Sequence, residues 1–288
     1  MACQICDDTT WKTIEVDGVS RVTRCDCVRE QSSARLLAEA RIPRRYQHCD
    51  FDNYIAYNEQ LTSALQYARR LAERFPVVDK GMFLQGPPGV GKTHLAVAVL
   101  REVIRSRGAR GVFYDTRDLL KVIRSTYDPV NRTQEMDVLR PVIEADLLVL
   151  DDLGAEKTSE WVEETLNLIV NARYSEKRAT LFTSNYDDNP DSTDPDSLLF
   201  RIGFRMRSRL HEMCEFFYLD GADYRELPPN GGVEELMTLW KMRSKAARKP
   251  SLPSRTAGQA RAQLKPSTIA RGGDGKGDLK WPGGRAGS

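Results

Sequence analysis

Eight residues, Gly86-Pro-Pro-Gly-Val-Gly-Lys-Thr93, constrain this chain more than any others. They have the spacing G-x-x-x-x-G-K-[ST], and the flanking sequence suits it. Residues 81–85 form a short apolar run that reads as a buried strand. Across residues 94–107, Leu95, Val99 and Val103 recur as on one face of a helix. A loop of this kind turns from a strand into a helix N-terminus. Its glycines let backbone N–H groups wrap a phosphate, and the helix dipole adds positive potential. Lys92 then reaches the outer phosphates, and the Thr93 hydroxyl holds magnesium. An ordinary Gly/Pro turn before a helix would explain the glycines alone. It would not explain the lysine, strand and helix together.

Four other short apolar runs, at 112–115, 147–150, 180–183 and 215–219, join 82–85 as strand candidates, with helical stretches between them. Alternating strands and helices predict an α/β fold: a parallel sheet flanked by helices. Two helices are expected before the sheet, at 28–41 and 59–75. The run Asp146-Leu-Leu-Val-Leu-Asp-Asp152 is an apolar strand ending in two carboxylates. Ligands in open α/β sheets bind beyond the C-terminal strand ends. Asp151 is therefore expected to hold magnesium beside Thr93, and Asp152 to polarise an attacking water. Without the phosphate loop, the pair would read equally well as solvated aspartates. The strand at 179–185 ends in Thr-Ser-Asn, which places Asn185 near the terminal phosphate; a turn-forming asparagine is the plainer alternative.

Residues 197–213 read as a helix with Leu199, Ile202, Met206 and Leu210 on its apolar face. Arg201, Arg205 and Arg209 fall at i, i+4 and i+8 and are expected to form one stripe. Like charges stacked this way repel unless an anion faces them. A phosphate held by a neighbouring subunit would serve, and a solvated basic face is the alternative. Residues 117–132 read as a helix on which Arg117, Lys121 and Arg124 make a solvated basic face.

The six cysteines divide unevenly. Cys3 and Cys6 form C-x-x-C, and Cys25 and Cys27 form C-x-C. Between them, Asp17-Gly18 separates two β-prone runs, a hairpin signal. A hairpin brings the pairs together, and four thiolates suit tetrahedral zinc in a module too small for its own core. Free thiols on a flexible arm are the alternative. Cys49 and Cys214 read as core or incidental. The N-terminus lacks the basic and apolar regions of a signal peptide, and no run of about 18 apolar residues exists. A cytoplasmic, reducing location without membrane contact is expected, in which structural disulfides are not.

Charge is distributed unequally. Residues 241–288 hold 12 Lys/Arg against 2 Asp/Glu, whereas the preceding 240 hold 31 against 39. The Gly-, Pro- and Ser-rich tail cannot bury enough surface to offset its chain entropy, so disorder is expected. It either holds polyanions loosely or is simply solvated. The expected organisation is a zinc-binding module at 1–30, a linker helix and lead-in at 31–56, an ATPase domain at 57–228, a short helix at 229–247, and a disordered basic tail at 248–288.

Taken in order, GPPGVGKTHLA (86–96), LLVLDDLGAEK (147–157), TSN (183–185), RMRSRL (205–210) and DYR (223–225) resemble AAA+ P-loop ATPases of the bacterial DnaC/DnaI helicase-loader type and the related IstB transposition helpers. The resemblance covers residues 42–225. It implies Walker A, Walker B and sensor-1 roles for the first three motifs. It implies that Arg209 is an arginine finger with Arg205 as companion, and that Arg225 touches ATP in cis. The ATP-contacting set is then Gly86, Pro87, Pro88, Gly89, Val90, Gly91, Lys92, Thr93 and His94, with Arg225. Ile42-Pro-Arg-Arg-Tyr46 and Phe51 resemble a lead-in segment near the adenine. In the family an extra helix near residues 117–132 touches DNA through salt-sensitive backbone contacts, which is the alternative to a solvated face for Arg117, Lys121 and Arg124. The cysteine module resembles zinc-bearing N-terminal parts of some loaders, which grip the replicative helicase. The implied function is ATP-dependent loading of a replicative helicase onto single-stranded DNA, with self-association through the ATPase interface. A transposition helper on duplex DNA and an ATP-gated adaptor with little hydrolysis remain open. Asp152, where many ATPases place glutamate, keeps the adaptor reading open.

Overall fold

The chain begins with a two-stranded ribbon. Strands β1 (Trp11–Val16) and β2 (Val19–Arg24) pair antiparallel, with Trp11 opposite Arg24. Helix α1 (Asp26–Glu39) follows at once, starting two residues before the expected position. The computed structural model describes residues 3–16, 18–128, 134–156, 159–190, 193–228 and 231–247. Asp17 and the basic tail from 248 lie outside them. Among the described residues, no helix is long and apolar enough to cross a membrane.

Five parallel strands make the main sheet: β3 (Gly81–Gln85), β4 (Gly111–Asp115), β5 (Leu147–Asp151), β6 (Ala179–Ser184) and β7 (Cys214–Tyr218). Their order is β4-β5-β6-β3-β7. Leu219 falls just outside β7, although its N–H still donates to Gln85 O at 2.8 Å. Side chains alternate between faces with a period of two. Met82, Leu84, Leu147 and Val149 join one core; Phe83, Leu148 and Leu150 join the other. Both faces are covered, which is why β5 is buried throughout.

Helices α1, α2 (Glu59–Arg74) and α3 (Lys92–Arg107) cover the first face. Helix α2 starts cleanly because the Asn58 side chain accepts from Leu61 N–H. Helices α4 (Thr116–Ser125), α5 (Glu135–Glu144), α6 (Glu160–Ser175) and α7 (Leu198–Met213) cover the second. The helix expected across 117–132 therefore ends at Ser125, and residues 129–133 are outside the described set. Burying one leucine stabilises by about 1.5–3 kcal/mol, whereas an exposed pair such as Arg35–Glu39 is screened by water and adds little. The two apolar layers, not surface ion pairs, hold the sheet.

One fully buried cation joins these layers. Arg173 donates to Val142 O, Ile143 O, Ala145 O, Ala179 O and Thr180 Oγ1 at 2.6–3.0 Å. Its guanidinium thus satisfies carbonyls at the C-terminal, negative end of α5 and ties that end to β6. Burial pushes its pKa down to about 9.

Helix α7 departs from the expected single stripe. Gly203 has φ 76° and ψ 162°, which breaks the helix into two segments. Arg201 lies before the break and Arg205 and Arg209 after it, so the three do not share one face. Arg201 stacks on Tyr186 at 4.5 Å and donates to Pro195 O. The last helix, α8 (Val233–Ala247), docks through buried Leu236 and through Trp240 Nε1, which donates to Asp220 Oδ2 at 3.0 Å.

Candidate nucleotide and metal sites

The phosphate loop leaves β3 at Gly86, where the chain passes close to the end of β7. A Cβ on Gly86 would sit 2.1 Å from Leu219 O, and its φ is +138°. Only glycine fits there. The loop then feeds α3, whose first residue is Lys92. The Lys92 ammonium is held at the loop's centre, donating to Gly86 O at 2.7 Å, Pro87 O at 2.8 Å and Asn185 Oδ1 at 2.8 Å. Burial pushes its pKa down to about 8, against the pull of Asp152 and Asp151. A cation desolvated in this way gains from an incoming phosphate.

Next to it, Thr93 Oγ1 donates to Asp151 Oδ1 at 2.8 Å, and Thr183 Oγ1 donates to the same oxygen at 2.6 Å. Burial raises the pKa of Asp151, and these hydroxyls only partly offset it. A buried carboxylate beside a threonine hydroxyl, served by neutral donors, fits a hard cation with oxygen ligands. Asp152 stands one residue on, with φ +58°. That backbone turns its carboxylate across the strand ends, where Oδ1 accepts from Asn185 Nδ2 and Oδ2 pairs with the Arg117 guanidinium at 3.0 Å. Asn185 therefore bridges Lys92 and Asp152. It is wired into the site on both sides rather than being a free turn residue.

Arg117 of α4 lines the same cavity and pairs with Asp152. Of its companions, Lys121 pairs with Asp118 at 3.1 Å, and Arg124 lies 4.6 Å over the Trp161 ring. Each of the three cations has its own partner within the chain.

These groups line a cavity of about 610 Å³ that also takes in Pro88, Gly89, Gly91, Thr93 and His94. His94 is held by Asp50 O and Asn53 Oδ1 at 3.1 and 2.9 Å. The Val90 side chain is fully buried in the core and does not face the cavity. Gly86 and Pro87 do not line it either; their carbonyls face Lys92. From the lead-in, Arg45 and Tyr46 reach the cavity, whereas Phe51 is buried beneath Arg69. Tyr54, Ile55 and Tyr224 line it too. No sequence signal marks Tyr54 and Ile55, because only the fold brings 54–55 beside the DYR segment at 223–225. Arg225 lines the cavity, and its neighbour Tyr224 donates its N–H to Gly89 O at 3.0 Å. Arg205 and Arg209 do not line it; Arg209 Nη1 donates to Arg205 O at 3.1 Å.

The second site is at the base of the ribbon. Cys3 Sγ lies 3.8 Å from Cys25 Sγ, Cys6 Sγ lies 3.4 Å from Cys27 Sγ, and all four sulfurs lie within 4.8 Å of one another. A tetrahedron with Zn–S bonds of about 2.3 Å has edges of about 3.8 Å. The cluster has that size and donor set. Cys25 sits at the start of α1 and Cys27 inside its first turn, which explains the C-x-C spacing: the helix turn, not a second knuckle, aims the sulfurs. Cys49 and Cys214 are buried elsewhere, in the two cores.

Residues 22–225 match the family of IstB-like ATP binding proteins. The chain is 31% identical over 153 residues to the replicative helicase loader DnaC of Buchnera aphidicola subsp. Acyrthosiphon pisum, covering 53% of this chain and 62% of that protein. It is 32% identical over 140 residues to DnaC of Escherichia coli K12, covering 49% and 56%. It thus spans about three-fifths of the length of these relatives. A crystal structure of the DnaC helicase loader superposes with a TM-score of 0.55 at 34% identity, over 62% of this chain and 99% of that one. The DnaI structure, at 22% identity and a TM-score of 0.53 over 64% and 94%, shares the fold. With a strand–loop–helix phosphate cradle on a five-stranded parallel sheet, the chain belongs to the IstB-like ATP-binding family of AAA+ P-loop proteins.

Proposed function

We propose that this protein is an ATPase that loads a replicative helicase onto single-stranded DNA, with ATP as the switch. The carrying observation is the single network Lys92–Asn185–Asp152, with Thr93–Asp151 beside it, all in one cavity. In this reading Lys92 exchanges its carbonyl and amide acceptors for phosphate oxygens. Thr93 and Asp151 hold magnesium, which neutralises charge on the phosphates. Asn185 places a water, and Asp152 accepts its proton as the water oxygen bonds to the γ-phosphorus and the bond to ADP breaks. Arg225 steadies the nucleotide in cis, while Arg205 and Arg209 serve the neighbouring subunit. The Arg117–Asp152 pair occupies the carboxylate that must take the proton, which favours slow turnover until a partner or DNA draws Arg117 away. That keeps an adaptor with little hydrolysis as the second reading.

The loading step comes from the relatives, which are named replicative helicase loaders. The test mixes this protein with the replicative helicase of its own host, with and without ATP, over single-stranded DNA. A stable complex with the helicase, and ATP-dependent retention of helicase on the strand, are expected. Failure to bind the helicase, with ATP-dependent assembly on duplex DNA instead, would move the protein to the transposition reading.

Zinc belongs to the same proposal. Cys3, Cys6, Cys25 and Cys27 would hold it, fixing a ribbon whose Val19 and Val22 are exposed. Structural zinc contributes on the order of 10 kcal/mol in small modules, far more than this ribbon can bury. Purified protein should carry about one zinc per chain. A Cys25→Ser, Cys27→Ser variant should lose the metal and the ribbon's protection from proteolysis while keeping ATP binding. Unchanged metal content would refute the assignment.

A further inference from the structure

The break at Gly203 leaves the arginine-bearing half of α7 without guidance from its first half. A Cβ on Gly203 would meet Glu163 Oε1 at 3.0 Å, and φ is +76°. Something else must set the direction of residues 204–213. Two of this segment's faces are tied down. Met206 and Leu210 are buried in the core. On the next face, Arg207 and His211, one turn apart, converge on the carboxylate of Asp188. Arg207 forks onto it, with Nη2 at 3.0 Å from Oδ2, and His211 Nε2 lies 2.9 Å from the same oxygen. The His211 ring also lies flat on Phe216 of β7 at 4.2 Å, and Phe216 stacks on Phe83 of β3 at 4.5 Å. The face that remains carries Phe204, Arg205 and Ser208, all exposed, with half-buried Arg209 beside them.

Asp188 is only 12% exposed. It lies three residues beyond Asn185, in the loop joining β6 to α7. A bidentate arginine–carboxylate contact fixes orientation as well as distance. Asp188 thus stands on the loop that leaves β6 through Asn185, and its one carboxylate holds the segment that carries Arg205 and Arg209.

We propose that Asp188 is a positioning residue: through Arg207 and His211 it sets the direction from which Arg205 and Arg209 reach the nucleotide of the neighbouring subunit. This rests on the trans role given above to Arg209. Misplacing a catalytic group by about 1 Å can cost about a hundredfold in rate. Asp188→Asn should therefore lower turnover by roughly tenfold to a hundredfold and leave ATP affinity intact, because its own pocket is untouched.

Mixing separates this role from general damage. Asp188→Asn protein mixed with Lys92→Ala protein should regain activity: one interface then joins an intact loop to a well-placed finger. Asp188→Asn mixed with Arg209→Ala should stay inactive, since neither supplies a placed finger. Recovery in that second mixture would overturn the proposal, because it would put the Asp188 defect in its own pocket. Full turnover of Asp188→Asn, alongside an inactive Arg209→Ala, would overturn it and leave the trans role standing. Full turnover of Arg209→Ala would remove both. If Asp188→Asn does not fold, Arg207→Gln breaks the same contact from the other side and should give the same two mixing results.

Discussion

Lys92→Ala is expected to abolish ATP hydrolysis and weaken ATP binding without unfolding the domain. Lys92 is 7% exposed, and its ammonium makes three hydrogen bonds within the loop and to Asn185. In the bound state those donors face phosphate. Hydrogen bonds to charged groups contribute about 1.5–3 kcal/mol each, so losing even one costs roughly tenfold to a hundredfold in affinity. The variant also leaves Asp151 and Asp152 without their nearest buried cation, in a pocket that must accept a polyanion. Turnover should suffer more than binding, since negative charge builds on the leaving ADP oxygen in a loose transition state, within reach of the loop's lysine. The fold should survive: the loop's carbonyls can bind water, and neither apolar layer depends on this side chain. Titration with a fluorescent ATP analogue, steady-state turnover and thermal melting check the three parts. A folded Lys92→Ala protein with wild-type affinity and turnover would mean that this loop is not the nucleotide site.

The parts of this arrangement that could be read from the sequence are those set by local pattern. The phosphate loop is one continuous segment, so its glycines, lysine and threonine carry their geometry with them. The apolar run ending in Asp151-Asp152 declares a buried parallel strand, and its carboxylates then have one place to go. Arg117's place at the carboxylates is not legible, because the sequence shows it only on a helix with Lys121 and Arg124. Only the adjacency of β4 to β5 puts it beside Asp152. The break at Gly203 is hidden for a related reason. Leu199, Ile202, Met206 and Leu210 keep helical spacing across the glycine, so periodicity alone draws one continuous helix. The break shows only in the backbone, in the left-handed φ of Gly203, which lies beside Glu163 of α6. Tyr54 and Tyr224 belong to segments 170 residues apart; Tyr54 sits in no motif, and although Tyr224 lies within DYR, its place beside Tyr54 on the cavity wall exists only in the folded chain. Asp188 is one acid among several in an acidic loop, and nothing local separates it from Asp187 or Asp194.

Arg209→Ala is expected to lower turnover on the order of a thousandfold while leaving nucleotide binding intact. The side chain is absent from its own subunit's cavity, whose walls are supplied by the phosphate loop, the strand ends, the lead-in and Arg225. Among the described residues, Arg209 Nη1 donates to the Arg205 carbonyl at 3.1 Å. Arg205 is exposed on the same side of the segment. Two guanidinium groups side by side repel in the absence of an anion, and a phosphate in an adjoining subunit supplies one. Loss of the finger should therefore leave ATP affinity near wild type, set by Lys92 and its own loop, and should remove transition-state stabilisation supplied from outside. The decisive measurement is again a mixture. Arg209→Ala subunits keep an intact loop, and Lys92→Ala subunits keep an intact finger. Where one of each meets in the correct order, a complete site forms and activity returns, although each variant alone is inactive. If mixed oligomers form and remain as inactive as either parent, Arg209 does not act across the interface. The proposal for Asp188 would then lose the group it is meant to place.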